Sequence, residues 1–418
     1  MTGQAAPSRI AAIDGFRAYA ILGVVTFHLL GVAGALQPGS TTALIAWGLL
    51  GNVIDAFFII SGFVLFLAVV RRSGQLGSIR NFAVARGARL APPYWITLAV
   101  MLALLAFVAV PSGPGVVATG LPSLPNVLAH LVGMQMPVRM FDSNALIGFG
   151  INGPLWMISV IVCFYLLFPL IAKPYYRHPV IGLLAAAVIT IAWKEGVDHF
   201  PGVLAAIDQG DQRAWVEQLI AIDQLPGWAF SFALGMTCAW GYGRLADLDP
   251  AKTRHAATWA LPFALVACGT CAYLYGDHAS AISSAAAGSF TRTDTFLGLA
   301  YTLSRGALMA AIVLGPVWAR TPFASPKVRA IAELSFSVYL IHLVIAIYVG
   351  RMLFSLPTDG SIGAVALWIA LVLPLSMLFA LLMRRYVERP ARDWSRQATR
   401  KFDRPRAEPF PAASPSAP

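Results

Sequence analysis

The chain is short of charged residues. Only 12% of its 418 residues are charged, whereas soluble domains carry about 25%. Hydrophobic residues make up 58% of the chain, and its mean hydropathy is +0.70. This composition excludes an ordinary soluble domain and predicts a polytopic membrane protein.

The chain also has few cysteines. There are four, and each falls inside an apolar run. Cys268 and Cys271 have the spacing of a redox or zinc pair, but no second pair follows them. We interpret them as small apolar side chains of a helix, and we expect no bound metal ion.

A surplus of basic residues gives the chain a net charge of +11. However, it lacks the mixed basic and aromatic platform that binds nucleic acid, so we expect no nucleic-acid partner. The basic residues lie between the apolar runs and near the C-terminus, as membrane orientation requires.

Ten apolar runs are long enough to cross a bilayer. They span residues 13–35, 44–70, 93–113, 154–172, 179–197, 226–243, 257–275, 296–318, 331–352 and 362–384. If the N-terminus is cytoplasmic, 24 of the 30 lysines and arginines fall in or beside cytoplasmic segments. This asymmetry predicts that both termini are cytoplasmic.

The first run carries an arginine and a histidine. Arg17 and His28 are eleven residues apart, so they share one helix face and stand about 16 Å apart along the axis. Exposing both to lipid would cost several kcal/mol. The face therefore predicts a polar route into the membrane.

Two further stretches carry candidate residues. Asp55 lies in the run DAFFIISGF and needs a cation, for which Arg17 or Arg86 is a candidate; Ser61 and Gly62 are interpreted as packing positions. Arg86 and Arg89 share a helix face, where they either anchor the chain or clamp phosphates. The histidines in loops or at helix ends, among them His130, are predicted to be solvated.

The order of motifs resembles that of the membrane-bound acyltransferase family 3, the integral-membrane O-acyltransferases of bacteria. The motifs are IDGFRAYAILGVVTFH at 13–28, DAFFIISGF at 55–63, Arg86-x-x-Arg89, GPLW to FYLLFP at 153–169, LSFSVYLIH at 334–342 and YVERP at 386–390.

The resemblance implies an all-α integral membrane fold of about ten transmembrane helices around a polar central cavity, in the bacterial inner membrane. It implies transfer of an acyl group, commonly acetyl, from cytosolic acyl-CoA to a hydroxyl of a carbohydrate or glycosylated acceptor, with no bound cofactor. His28 is then the general base or forms an acyl-histidine, and Arg17 is the second catalytic residue.

The remaining candidates are donor- or substrate-binding residues. Asp14 either orients Arg17 or caps the first helix. The others are Arg86, Arg89, Asp55, Trp156, Tyr165, Tyr339 and His342.

One position departs from the family pattern. Many members carry a glutamate in the fourth helix where this chain has Ile161; either Asp14, Asp55 or Asp142 replaces it, or the chain does without a carboxylate. We expect a transmembrane domain over 1–395 and a disordered basic and proline-rich tail over 396–418. We expect no appended hydrolase-like domain, so the membrane domain itself completes the transfer.

Two other functions fit the same pattern. A transporter or flippase would also need about ten spans with a charged interior, and a catalytically silent partner in polysaccharide assembly would explain the absent glutamate. Acyl transfer in isolated membranes separates both from an enzyme.

Overall fold

A computed structural model describes residues 10–108, 121–140, 152–199, 220–246, 248–282 and 291–402. Every regular element within these ranges is helical. The α-helices are α1 Ala11–Val32, α2 Thr41–Ala46, α3 Ile54–Val70, α4 Ile79–Phe107, α5 Leu124–Leu131, α6 Gln135–Arg139, α7 Trp156–Arg177, α8 Pro179–His199, α9 Leu225–Ala246, α10 Pro250–Ile282, α11 Arg292–Leu314, α12 Val317–Ala324, α13 Pro326–Val344, α14 Ile362–Met383 and α15 Arg389–Phe402. Short π-helical segments, Trp47–Gly51, Ile345–Leu353 and Arg384–Glu388, precede α3, extend α13 and join α14 to α15.

Nine helical segments in the described ranges are long and apolar enough to cross a membrane. They coincide with nine of the ten predicted runs and confirm the all-α membrane fold. The tenth run corresponds to α9, whose 22 residues span about 33 Å. Helix α9 contains Gly, Ser and Thr among its apolar residues because much of its surface contacts protein and not lipid.

The two ends of the described chain lie at the same end of the helix bundle, since Ile10 and Arg396 line one cavity. A chain that starts and finishes on the same side crosses an even number of times. Counting α9 with the nine apolar segments gives that even number.

The predicted disordered tail is wrong at its start. Residues 389–402 form α15, so the expected boundary at 396 falls inside a helix. Pro390 directly follows the π-helical segment Arg384–Glu388, and prolines and π-helical turns are the usual places where a continuous helix changes direction. Residues 403–418 lie outside the described ranges.

The centre of the bundle is formed by α1, α3, α9 and α13. Helix α1 packs along α13, and α3 makes its most extensive contact with α9. Gly62 of α3 lies against the backbone of Phe232, and Gly235 of α9 lies against the backbone of Ile59. A β-carbon at either glycine would collide with the partner helix, which confirms the packing interpretation for Gly62.

Candidate active site

Two histidines from distant parts of the chain meet inside the bundle. Nδ1 of His28 in α1 and Nε2 of His342 in α13 are 2.8 Å apart. Their rings are nearly parallel, with centroids 5.1 Å apart and an interplanar angle of 14°. His342 is fully buried and His28 is partly exposed. The packing of α1 along α13 thus forms a histidine pair from residues 314 positions apart.

The surroundings of this pair fix its hydrogen positions. Nδ1 of His342 is 2.8 Å from the carbonyl oxygen of Tyr339, one turn earlier in α13. Because a carbonyl oxygen only accepts, Nδ1 of His342 carries the hydrogen and its Nε2 keeps a lone pair. That lone pair accepts the hydrogen of His28 Nδ1. A neutral His28 is therefore left with a free lone pair on Nε2, which can take a proton.

Tyr339 lies next to the histidine pair. Its ring centroid is 6.0 Å from that of His342 and 6.3 Å from that of Phe57. Its hydroxyl donates to the carbonyl oxygen of Pro154, and the amide of Asn152 donates to the carbonyl oxygen of Leu340 at 2.6 Å. These two bonds hold α13 against the segment that precedes α7.

A narrow cavity of about 70 Å³ leads away from Tyr339. Its wall contains Phe57, Met157 and Ile161, and it reaches the arginines that the sequence singled out. Its charged and polar lining consists of Arg17, Ser61, Arg86, Arg89, Tyr165, Ser335 and Tyr339. Ser61, which we interpreted as a packing position, thus also lines the cavity. Ile161, which stands where many family members carry a glutamate, gives the wall an apolar side chain at that position.

A second cavity, of about 660 Å³, adjoins the narrow one, and Arg17, Arg86 and Arg89 line both. We call it the arginine cavity. Its charged lining consists of Asp14, Arg17, Arg71, Arg72, Arg86, Arg89, Glu333, Glu388, Arg392 and Arg396. Four of the lining arginines were not among the predicted site residues: Arg71, Arg72, Arg392 and Arg396. The sequence feature that could have identified them is their position in basic segments beside the membrane spans.

Asp14 and Arg86 are held beside predicted site residues. Asp14 Oδ1 is 3.8 Å from Arg17 Nη1, which agrees with the orienting role. The capping alternative is wrong, because the N-cap residue of α1 is Ile10. The guanidinium of Arg86 lies 5.9 Å from the ring centroid of Tyr165. At this distance the aromatic ring stabilises the cation and orients it towards the cavities.

Asp55 belongs to a different cluster from the one expected. It is fully buried, and its Oδ2 lies 4.0 Å from Nη1 of Arg305 in α11, so the predicted pairing with Arg17 or Arg86 is wrong. Arg305 also donates to the carbonyl oxygen of Asn52 and lies 3.8 Å above the ring of Tyr301. Asp55 lines neither cavity. The sequence feature that could have identified this partner is the position of Arg305 inside an apolar run.

Trp156 also lies away from both cavities. It stacks on Trp228 of α9 with ring centroids 5.8 Å apart, and the ammonium of Lys194 lies 5.4 Å from the Trp228 ring. Lys194 interacts electrostatically with Asp55, so the two clusters are neighbours. The structure thus brings Arg17, Arg86, Arg89, Tyr165 and Tyr339 around two adjoining cavities and separates Asp55 and Trp156 from them. His28 and His342 line neither cavity either; the histidine pair lies beside the narrow cavity through the contact of His342 with Tyr339.

Two predictions fall elsewhere. His130 is fully buried in the short helix α5, with Nδ1 2.9 Å from the carbonyl oxygen of Asn126, so the prediction that it is solvated is wrong. Burial lowers the pKa of His130 to about 4, which keeps it neutral. Asp142 lies outside the described residues.

Comparison with known proteins identifies the family of this chain. A family model described as an acyltransferase domain matches residues 10–385. A peptidoglycan O-acetyltransferase of Listeria monocytogenes, OatA, is 23% identical over 364 residues, which cover 80% of this chain and 49% of the relative. The acyltransferase MdmB of Streptomyces mycarofaciens is 28% identical over 190 residues, which cover 44% of this chain and 46% of the relative. Each match thus spans about half the length of the curated relative. No solved structure matches the chain.

Proposed function

Because the chain belongs to the acyltransferase family whose domain model matches residues 10–385, we propose that it is a membrane O-acyltransferase. It transfers an acyl group, commonly acetyl, from acyl-CoA to a hydroxyl of a carbohydrate or glycosylated acceptor. Peptidoglycan is one candidate acceptor, since a relative carries it in its name. The enzyme lies in the bacterial inner membrane, with both termini and the arginine cavity at the cytoplasmic side.

The distribution of charge along the two cavities suits acyl-CoA. Phosphates at one end of this donor suit the arginine cavity, because guanidinium groups bind phosphate oxygens through paired hydrogen bonds. The slender arm that carries the thioester suits the narrow cavity, which passes Ile161 and ends at Tyr339. A donor bound in this way carries its thioester towards the histidine pair.

The observation that carries the proposal is the hydrogen-bond chain from Tyr339 through His342 to His28. It leaves Nε2 of His28 as the base. A sugar hydroxyl is a poor nucleophile at neutral pH, and a positioned base accelerates its attack by about 10²–10⁴-fold.

In the proposed reaction, Nε2 of His28 accepts the proton of the acceptor hydroxyl as its oxygen bonds to the thioester carbonyl carbon. The tetrahedral intermediate then collapses and the carbon–sulfur bond breaks. The proton on His28 passes to the leaving sulfur, so the products are an ester and the free thiol of CoA. His342 does not react; it orients His28 and stabilises the imidazolium that forms transiently.

The test compares membranes that contain the wild-type chain, His28→Ala or His28→Gln. Glutamine keeps hydrogen bonding but cannot take up a proton at neutral pH, so both variants should lose about 10²–10⁴-fold in transfer. Release of thiol from acetyl-CoA, and the acetyl mass on surface glycans including peptidoglycan, are measured per amount of folded protein.

A His28→Gln enzyme with wild-type turnover would show that His28 is not the base. Wild-type membranes that neither release thiol nor acetylate any glycan would instead favour a carrier.

A further inference from the structure

The C-terminal helix α15 forms part of the wall of the arginine cavity. It packs against α4, the helix that carries Arg86 and Arg89. On α15 the buried Ser395 and the exposed Arg392 and Arg396 line the cavity. Arg392 and Arg396 are four residues apart, so their side chains lie on one helix face.

The cavity is lined by many more cations than anions. Seven arginines and three carboxylates contribute to it. All three carboxylates have partners: Asp14 lies 3.8 Å from Arg17, Glu333 pairs with Arg384 of the π-helical segment, and Glu388 accepts a hydrogen bond from Ser337 at 2.6 Å. Unbalanced guanidinium groups around one concave space repel each other and attract a polyanion.

The cations fall into two groups by position. Arg17, Arg86 and Arg89 line both cavities and therefore surround the passage between them. Arg71, Arg72, Arg392 and Arg396 line only the larger cavity, farther from Tyr339 and the histidine pair. A volume of about 660 Å³ lies within the range of about 300–1,000 Å³ for small-molecule sites, so a nucleotide fits there.

We propose that Arg392 and Arg396 of α15, together with Arg71 and Arg72, form a phosphate-binding subsite for the nucleotide end of the donor. This inference rests on the proposed function and extends it to the C-terminal helix. The ion pairs of these two arginines do not prevent it: Arg392 Nη2 is 3.9 Å from Glu388 of the π-helical segment, Arg396 Nη1 is 3.5 Å from Asp393, and both arginine side chains are exposed. Such pairs contribute little and exchange readily for a phosphate.

The experiment uses the full chain in nanodiscs of neutral phosphatidylcholine and two donors. Acetyl-CoA carries the phosphates, whereas acetyl-pantetheine carries the same thioester without them. The test variant is Arg392→Gln with Arg396→Gln. The matched control is Arg389→Gln, an exposed arginine of the same helix that does not line the cavity.

For acetyl-CoA the double substitution should raise KM about 10-fold or more and leave kcat unchanged, because phosphate contacts act equally on the ground state and the transition state. For acetyl-pantetheine neither constant should change. The control should behave as the wild type with both donors.

A parallel rise in KM for both donors would overturn the proposal, since it would show that α15 acts only through the fold. Unchanged kinetics with acetyl-CoA would overturn it as well, because the two arginines would then not contact the donor.

An anionic lipid headgroup offers the same phosphate chemistry. If the arginines hold a headgroup instead, the double variant will differ from the wild type only in discs with added phosphatidylglycerol, and equally with both donors, which would also overturn the proposal. If the wild type transfers acyl groups from neither donor, the proposed function fails; CoA binding, measured by titration calorimetry on the wild type and the double variant, then tests the subsite on its own.

Discussion

A single hydrogen decides how the histidine pair can act. Because Nδ1 of His342 faces a backbone carbonyl oxygen, its Nε2 is an acceptor, and the proton between the two rings belongs to His28. The other tautomer of His342 would set the lone pair of Nδ1 against the carbonyl oxygen of Tyr339, and the hydrogen of Nε2 against that of His28 Nδ1. The backbone of α13 therefore sets the chemical state of a residue in α1.

Substitutions at His342 test this positioning role. His342→Gln can still accept from His28 and donate to the carbonyl oxygen of Tyr339, whereas His342→Phe keeps a flat ring without either bond. We expect kcat to fall about 10–100-fold in the phenylalanine variant and much less in the glutamine variant. Acetyl-CoA turnover per folded protein measures both.

A purely structural role for His342 predicts the opposite order, since phenylalanine fills an apolar core better than glutamine does. Thermal unfolding of both variants provides the control for folding. Equal turnover in the two variants would contradict the hydrogen-bond chain.

Individual residues differ in how much the sequence reveals about them. The shared face of Arg17 and His28 follows from helix periodicity, and the proximity of Tyr339 and His342 from their spacing of three. The pairing of His28 with His342, and of Asp55 with Arg305, joins helices far apart in the chain. No local pattern encodes such pairs, so the sequence indicated only that each residue needed a partner.

At the scale of helices, α3 and α9 approach each other closely in the central bundle. Gly62 lies against the backbone at Phe232, and Gly235 lies against the backbone at Ile59. Small residues allow this approach, which favours packing between helices where lipid offers no hydrophobic driving force.

Gly62→Ala should therefore destabilise the protein by about 1–3 kcal/mol, because its β-carbon meets backbone atoms that cannot move alone. Gly87→Ala is the matched control: Gly87 is an exposed position of α4, and a β-carbon there would have no neighbouring atom within 4 Å. Alanine there should stabilise the helix by about 0.5–1 kcal/mol. Thermal unfolding in detergent compares the two, and equal melting temperatures would contradict the close approach.

The helices that the sequence predicted least well are those whose faces meet protein or water. Ten apolar runs were visible in the sequence because lipid requires apolar side chains around most of a helix. Helix α15 has a polar sequence, RPARDWSRQATRKF, and its folded state depends on packing against α4. Composition alone therefore suggested disorder from residue 396.

For the whole molecule, the shared cavity at both chain ends makes a topological prediction. Ile10 and Arg396 line the same space, so reporters at the two termini should report the same side of the membrane. Asp359 lies in the connection between α13 and α14, at the end of these helices away from the arginine cavity. After Pro418, a reporter that works only in the cytoplasm should be active. After Asp359, a reporter that works only in the periplasm should be active.

Reporters at Pro418 and Asp359 that both locate to the same side of the membrane would contradict the predicted crossings. A periplasmic reporter at Pro418 together with a cytoplasmic one at Asp359 would agree with the fold but contradict the orientation that the distribution of basic residues predicts.

The histidine pair also has a consequence for the time course of synthesis. His28 leaves the ribosome 314 residues before His342, a delay of about 15 to 60 s at 5–20 residues per second. Throughout that interval His28 of α1 lacks its partner from α13. The nascent chain therefore has no complete base until 342 of its 418 residues have been translated.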